Sequence, residues 1–347
     1  MKVKEPHQRV SIFAVAKKAK CSIATVSNVL NDKGRVGPKK RKEVLHAIRT
    51  LGYQVSSVGR NLRTRKSEML GLLFYPSCAQ IFKNPFYAEI MEGLEEELTR
   101  ERYNLLLAGY QVSVTDLPIP NFLAQGKVDG MILLGRFPAS IIQNFCQASS
   151  PLLLLDSNVE WPIDSVISDG FSAEINVVNH LASRGHRNIL MLAYDMEDYN
   201  IDLRIQGFLA GLAQCGLSSG PRNVIREFLS HDDIYSALRA RMRDASPPTA
   251  VVAINDTLAM AMIKRLKADL LSVPRDISFV GYDDDEAMLD GHPFLSTVRV
   301  NKKELGRVGT ELILKRIASP VSPVVKLRLP VEFISRDSVA SLGARAE

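Results

Sequence analysis

The chain has 347 residues, 46% of them hydrophobic and 24% charged, a composition that suits two or three globular domains. No apolar run approaches the roughly 18 residues of a membrane span, and the polar start MKVKEPHQRV has no apolar core of a secretory signal, so a cytoplasmic protein is expected. The net charge of +6 is unevenly spread: residues 1–68 hold 17 Lys and Arg against four acids, or +13, and the rest holds 27 against 34, or −7. A cationic module on an anionic body points to a polyanion that meets the module alone.

In chain order, Ser11 is placed to cap a first helix with Ile12, Val15, Ala16 and Ala19 on one face. Ser22 is placed to cap a second, with Val26, Val29 and Leu30 inward, after a turn of about three residues, Ala19-Lys20-Cys21. Gly37-Pro38 opens a third, with a stripe of Val44, Leu45, Ile48 and Leu51, and Gly52 ends it. Three short helices with a tight first turn form the helix-turn-helix pattern, whose second helix enters the major groove of DNA. Its outward positions are Ile23, Ala24, Thr25, Ser27, Asn28 and Asn31. Asn28 suits an adenine edge, and Ile23 and Ala24 suit a thymine methyl. Thr25, Ser27 and the backbone near Ser22 suit phosphate. The alternative for each is an ordinary solvated helix surface.

Residues 22–31 (SIATVSNVLN), Val36, Arg41, Val44 and Gly52-Tyr53 resemble the DNA-binding head of the LacI/GalR repressor family. The resemblance runs on through NLRTRKSEMLG and NPFYAEIMEGLEEE to VPRDISFVGYDD, roughly residues 11–338. It departs at Asn28, where the family usually has a base-reading Arg, and at Lys20, which stands at the turn glycine and costs about 1 kcal/mol if left-handed. The resemblance also implies a hinge, residues 54–68, that turns helical on DNA and wedges Leu62 into the minor groove while Arg60 holds phosphate. A flexible linker is the alternative.

From Met69, apolar runs alternate with amphipathic segments: 69–75, 103–109, 131–135, 152–156, 188–194, 250–254 and 277–282. Such runs fit parallel strands covered on both faces. The resemblance implies an α/β body of two Rossmann-like lobes, as in periplasmic binding proteins, behind the all-α head (1–53). The lobes are expected at 69–168 plus 299–326 and at 169–298 plus 327–340, with a tail at 341–347. Ligands of this fold sit at the carboxyl ends of the strands. Asp156, Arg204, Asn255 and Asp283 match the family's effector contacts, and Phe86 and Tyr87, after the first lobe strand, offer an aromatic face. Carboxylates and amides beside an aromatic ring suit a sugar. Helix capping is the alternative, above all for Asp256.

Other signals carry less. Cys21, Cys78, Cys146 and Cys215 form no CxxC pair and read as buried fillers. Gly216–Gly220 matches GxSxG without the strand-to-helix elbow it needs. Asp283-Asp284-Asp285-Glu286 lacks calcium-loop spacing. His186 reads as closing a helix-to-strand turn. No cofactor, metal or catalytic constellation is expected, which argues against a sugar-converting enzyme. A transport solute-binding protein would explain the body but not the +13 head. The expected protein is a homodimeric repressor on a pseudo-palindromic operator, answering a small-molecule effector, by default a sugar, with a nucleobase or nucleoside as the alternative. With no leucine heptad in DSVASLGARAE, a tetramer is not expected.

Overall fold

The computed structural model describes residues 10–30, 33–34, 36–53, 66–74, 83–109, 125–147, 150–226, 230–285 and 294–342. The chain divides into two compact units, residues 1–67 and 68–347.

The first unit is helical: α1 (Ile12–Lys18), α2 (Ile23–Leu30) and α3 (Pro38–Leu51). Ser11 caps α1, its Oγ accepting from the Ala14 amide at 3.3 Å, and Ser22 caps α2 by accepting from the Thr25 amide at 3.1 Å. Lys20 is left-handed (φ 49°) in the turn between them. Pro38 starts α3, and left-handed Gly52 (φ 62°) ends it by donating to the Ile48 and Arg49 carbonyls. Val15, Ala16, Ala19, Val26, Val29, Val44 and Ala47 form the core. Leu45, expected inward, is 39% exposed. One helical period aligns Val44 with Ala47, Ile48 and Leu51 and leaves residue 45 off the edge of that stripe.

The second unit holds two parallel sheets. One contains β1 (Met69–Phe74), β2 (Asn104–Gly109), β3 (Gly130–Leu134), β4 (Leu152–Leu155), β5 (Asp164–Ser168) and β11 (Lys326–Leu329), in the order β11-β5-β4-β3-β1-β2. The other contains β6 (Ile189–Leu192), β7 (Val224–Ile225), β8 (Ala250–Ala253) and β9 (Ser278–Val280), in the order β7-β6-β8-β9. Each sheet begins second-first-third-fourth, so each lobe is doubly wound and has its switch point beside its first strand. The helices are α4 (Pro85–Glu101), α5 (Ala139–Gln147), α6 (Gly170–Ser183), α7 (Tyr199–Gln214), α8 (His231–Arg241), α9 (Asp256–Ala268) and α10 (Lys302–Ala318). The antiparallel pair β10 (Thr297–Arg299) and β12 (Glu332–Ile334) carries the chain between lobes, which it also crosses at Ser168–Gly170.

The register of β11 on β5, from Lys326 on Ser165 to Leu329 on Ser168, keeps the chain in the first lobe through Leu329 and not only to residue 326. Its start is fixed by Asp164, which accepts from Arg316 Nε (2.7 Å) and Nη2 (2.8 Å) and from the Val325 amide (2.8 Å). That fork lets a strand beginning with an acid be buried. His186 closes the turn between α6 and β6 as expected, with Nδ1 2.9 Å from Thr249 Oγ1 and Nε2 3.1 Å from the Ala340 carbonyl. Cys146, expected buried, is exposed; Cys21 and Cys215 are half-buried, and Cys78 lies outside the described residues.

Helices α4 and α10 meet backbone to backbone. A Cβ on Gly93 would lie 2.0 Å from the Lys303 carbonyl oxygen, and one on Gly306 would lie 2.0 Å from that of Ile90. Backbone cannot rotate aside as a side chain can. Gly93→Ala should therefore destabilise the body by about 1–3 kcal/mol in a denaturant titration, despite alanine's better helix propensity. Unchanged or increased stability would contradict this close approach.

Candidate functional site

On the helical unit, Ser22, Ile23, Ala24 and Asn28 are exposed and Thr25 and Ser27 half-buried, all on or beside the outer face of α2. Ser22 has a structural task as the cap, and its Oγ also lies 2.9 Å from Thr25 Oγ1. Beyond α2, Gly34 turns with φ +76° against the Asn28 side chain; a Cβ there would sit 3.1 Å from Asn28 Nδ2. That glycine leaves room for the amide. Asn31, Arg60 and Leu62 lie outside the described residues.

In the body, polar groups gather where the strands of both lobes end. Asp156 follows β4 and Asp283 follows β9, and both are left-handed (φ 57° and φ 110°). Such backbone strain persists only where the surroundings enforce it, and it clusters at ligand sites. From α7, Asn200 donates to the Asp156 carbonyl (3.0 Å) and to Asp156 Oδ1 (3.1 Å), joining the lobes across the cleft. One turn on, Arg204 is buried. It donates from Nη1 to the Ile254 carbonyl (2.6 Å), stacks 3.5 Å above the Tyr282 ring, and holds Nη2 3.8 Å from Asp283 Oδ1. That last distance is an ion pair but not a hydrogen bond.

Burial governs the charges here. Desolvation pushes Asp283 up to about 8 and Asp156 to about 7, and the Arg204 guanidinium opposes both shifts. Burial also acts against the charge on Arg204, but Tyr282, Asp283, Asp156 and Glu174 together hold it up. Beside the cluster, a cavity of about 360 Å³ opens between Arg136 and Trp161 of one lobe and Glu197, Asp198 and Tyr199 of the other. A larger one, about 890 Å³, is lined by Asp284 and Asp285, next in the chain to Asp283; its Arg299 pairs with Asp284 and its Lys302 with Glu89. Its charges already satisfy one another, so it has less to offer a ligand.

Residues 11–56 match the family model of the bacterial regulatory proteins of the lacI family, and residues 178–339 match that of a periplasmic binding protein-like domain. The "Ribose operon repressor" of Haemophilus influenzae is 28% identical over 94% of this chain and 98% of its own length. The "HTH-type transcriptional repressor PurR" of Pasteurella multocida is 29% identical over 95% and 99%. Among solved structures, a transcriptional regulator CelR–cellobiose complex aligns at 26% identity over 95% of this chain and all of the other, with a TM-score of 0.71. The lac repressor dimer bound to operator and the anti-inducer ONPF shares the fold at 23% identity and a TM-score of 0.81, over 96% of this chain and all of the other. The chain belongs to the LacI family of bacterial regulatory proteins. It is a DNA-binding transcriptional regulator, and no helix among the described residues is long and apolar enough to cross a membrane.

In this LacI-family regulator the structure brings together Asp156, Arg204 and Asp283 and gives two other candidates packing or capping tasks. Phe86 is buried in the hydrophobic core, edge-on to Tyr87 at 5.3 Å. The next residue interacts with the cluster instead: the Tyr87 hydroxyl is pushed well up by burial, then by Asp156, Asp198 and Asp283. Asn255 caps α9, accepting from the Leu258 amide at 2.8 Å, a task expected of Asp256. Asp256 is buried behind it, accepting from Thr297 Oγ1 (2.7 Å) and the Asp285 amide (3.0 Å). Asp284 pairs with Arg299 at 2.7 Å and Arg336 at 2.6 Å, and no metal-binding group of acids is found among the described residues. Sequence reasoning missed Asn200, which lies one turn before Arg204 on the same helix face.

Carboxyls raised to about 7 and 8 keep protons in the folded state that the unfolded chain loses near pH 4. Their contribution is full below that point and is lost as pH rises toward 8. The histidines with resolved shifts, His180 and His186, are lowered and act only below about 6.5, in the opposite sense. The melting temperature of the ligand-free chain should thus fall between pH 6.5 and 8, and Asp283→Asn should flatten the fall. A melting temperature that rises across this window, or a slope unchanged in Asp283→Asn, would contradict the assignment.

Proposed function

We propose that this regulator is a homodimeric repressor of the cytoplasm whose operator affinity is set by a sugar bound between the lobes. The observation that carries the reading is the half-satisfied, buried Arg204 between two strained aspartates at strand ends of opposite lobes. A guanidinium offers several donors and carboxylates offer acceptors, which match vicinal hydroxyls. The names of two relatives agree: one is a ribose operon repressor, and another is seen with cellobiose. The sugar ligands are Asp156, Arg204 and Asp283, with Tyr87 beside them. Asn255 contributes its amide group only, since its oxygen caps α9.

In the head, Asn28 reads an adenine edge, Ile23 and Ala24 touch base methyls, and Thr25, Ser27 and the amides near Ser22 hold phosphate. Asn31, Arg60 and Leu62 complete the contact. A two-fold dimer matches a two-fold operator. A sugar that binds one lobe arrangement more tightly shifts the population toward it, and the coupling to DNA is reciprocal.

Two substitutions separate reading from sensing. Asn28→Ala should cost about 1–3 kcal/mol per half-site at one base position and relax the preference there, with sugar affinity of the body unchanged. Asp283→Ala should weaken sugar binding by about 1–3 kcal/mol, because a sugar hydroxyl loses a buried hydrogen-bonding partner, and should leave sugar-free operator binding intact. Gel-shift titrations and calorimetry read both. The proposal fails if Asp283→Ala leaves the sugar isotherm untouched, or if Asn28→Ala keeps full discrimination between operator and scrambled DNA.

A further inference from the structure

Trp161, the only tryptophan of the chain, stands half-buried in the segment between β4 and β5, at the same strand end as Asp156. That segment is braced. The Ile163 amide donates to the Trp161 carbonyl at 2.8 Å, Ser165 Oγ donates to Asn158 Oδ1 at 3.0 Å, and Lys326 Nζ holds the Val159 carbonyl. The indole packs on the core that contains Phe137 and Ile163, and it also lines the cavity of about 360 Å³ between the lobes. A large, flat, apolar ring on a braced segment is a surface ready for a ligand, because little entropy is lost in ordering it. The cavity is near the lower end of the usual range for small-ligand pockets, about 300–1,000 Å³, which suits a small group such as one sugar ring.

The polar groups of the cavity have few partners. Ser157, next in the chain to Asp156, is only 9% exposed, yet neither its hydroxyl nor the Trp161 indole N–H bonds to another described residue. Arg136 Nη1 reaches the Glu197 carbonyl across the lobes at 3.5 Å, the limit of a hydrogen bond, and such a contact yields readily. Asn200 joins the cavity to the buried cluster. Its backbone amide donates to Asp198 Oδ1 at 2.8 Å, its side chain donates to Asp156 Oδ1 at 3.1 Å, and its own Oδ1 has no partner. Charge then limits what fits. Glu160, Glu197, Asp198 and Asp202 line the cavity against one cation, Arg136. Asp202 is paired with Arg226, whereas Glu160 and Glu197 are exposed and enter no ion pair among the described residues. Such a lining accepts hydroxyls and repels anions. A sugar ring brings a C–H face to an indole and hydroxyls to carboxylates, while a nucleobase has few donors for so many acceptors.

We propose that this cavity is a second sugar subsite: the effector is a neutral disaccharide whose inner ring meets Asp156, Arg204 and Asp283 and whose outer ring lies on Trp161. This rests on the reading of the cleft as a sugar site. The outer ring gives its hydroxyls to Ser157, Glu160 and Glu197, and it releases Arg136 from the long contact to the Glu197 carbonyl. The unpaired carboxylates exclude a phosphorylated outer ring.

The test is tryptophan fluorescence of the full chain, where the single indole reports on the subsite itself, with calorimetry alongside. The probes are cellobiose, maltose and trehalose, the glucose ring they share, the 6-phosphates of the three disaccharides, and adenosine. At least one disaccharide should shift the Trp161 emission and bind about tenfold more tightly than glucose, and its 6-phosphate should bind about tenfold more weakly than the parent sugar. Trp161→Leu should bring that disaccharide to within about threefold of glucose, and Trp161→Phe, which restores a flat ring, should keep the preference. Both variants leave an apolar side chain against the core, so folding is preserved. Equal affinity for glucose and every disaccharide, an emission unmoved by a disaccharide that calorimetry shows bound, or a 6-phosphate that binds more tightly than its parent overturns the subsite. Stacking of adenosine alone overturns it as well, since the cavity then takes a nucleobase. If glucose binds and responds to Asp283→Ala while no disaccharide does better, the cleft reading stands and the subsite fails. If a disaccharide shifts Trp161 but its isotherm ignores Asp283→Ala, the subsite stands and the reading of the buried cluster fails.

Discussion

The body depends on the burial of one cation, Arg204, at the junction of its two lobes. Its bond to the Ile254 carbonyl ties α7 to the end of β8, and its stacking on Tyr282 ties it to the end of β9. A buried charge is tolerated only when paired and hydrogen-bonded. The acids around it, Asp156 and Asp283, follow from that need, and burial raises both. The result is a site whose protons and hydrogen bonds are incompletely assigned without a ligand, unlike the fully paired charges at Asp164 or Asp284. Such a site responds to what enters it.

The architecture makes that response mechanical. The first four strands of each lobe run in the same order, and polar groups at the strand ends of both lobes meet at Asn200–Asp156 and Arg204–Asp283. Asp156 belongs to one lobe and Asn200 to the other, so their bonds report whether the lobes are together. The crossings at Ser168–Gly170 and through β10 and β12 carry the chain between lobes three times, which confines relative motion to few degrees of freedom. A ligand that bridges Asp156 and Arg204 therefore acts on lobe arrangement directly.

Much of this was legible in the sequence, for physical reasons. The seven apolar runs are strands because a sheet covered on both faces needs apolar residues at every position. The head declared itself through Ser11, Ser22, Pro38 and Gly52, whose chemistry marks helix ends. What escaped was set by tertiary partners. Strand β5 begins with Asp164, which reads as a turn until Arg316 neutralises it, and β11 alternates as KLRL at a sheet edge. Phe86 and Tyr87 are neighbours, and only packing decides which one reaches the cluster. Asn255 and Asp256 are equally good caps on paper; the burial of Asp256 against Thr297 decides between them.

The most direct test of the account is a thermal-shift comparison of the full chain and its Arg204→Gln variant across neutral mono- and disaccharides, ribose and cellobiose included. A ligand at a hundredfold excess over its Kd adds about 2.7 kcal/mol, which moves a domain of this size by about 5 °C or more. The account predicts such a rise for at least one sugar in the wild type and none for that sugar in Arg204→Gln. A panel without any shift, or a shift that survives in the variant, would contradict the claim that this buried arginine is the centre of the sensor.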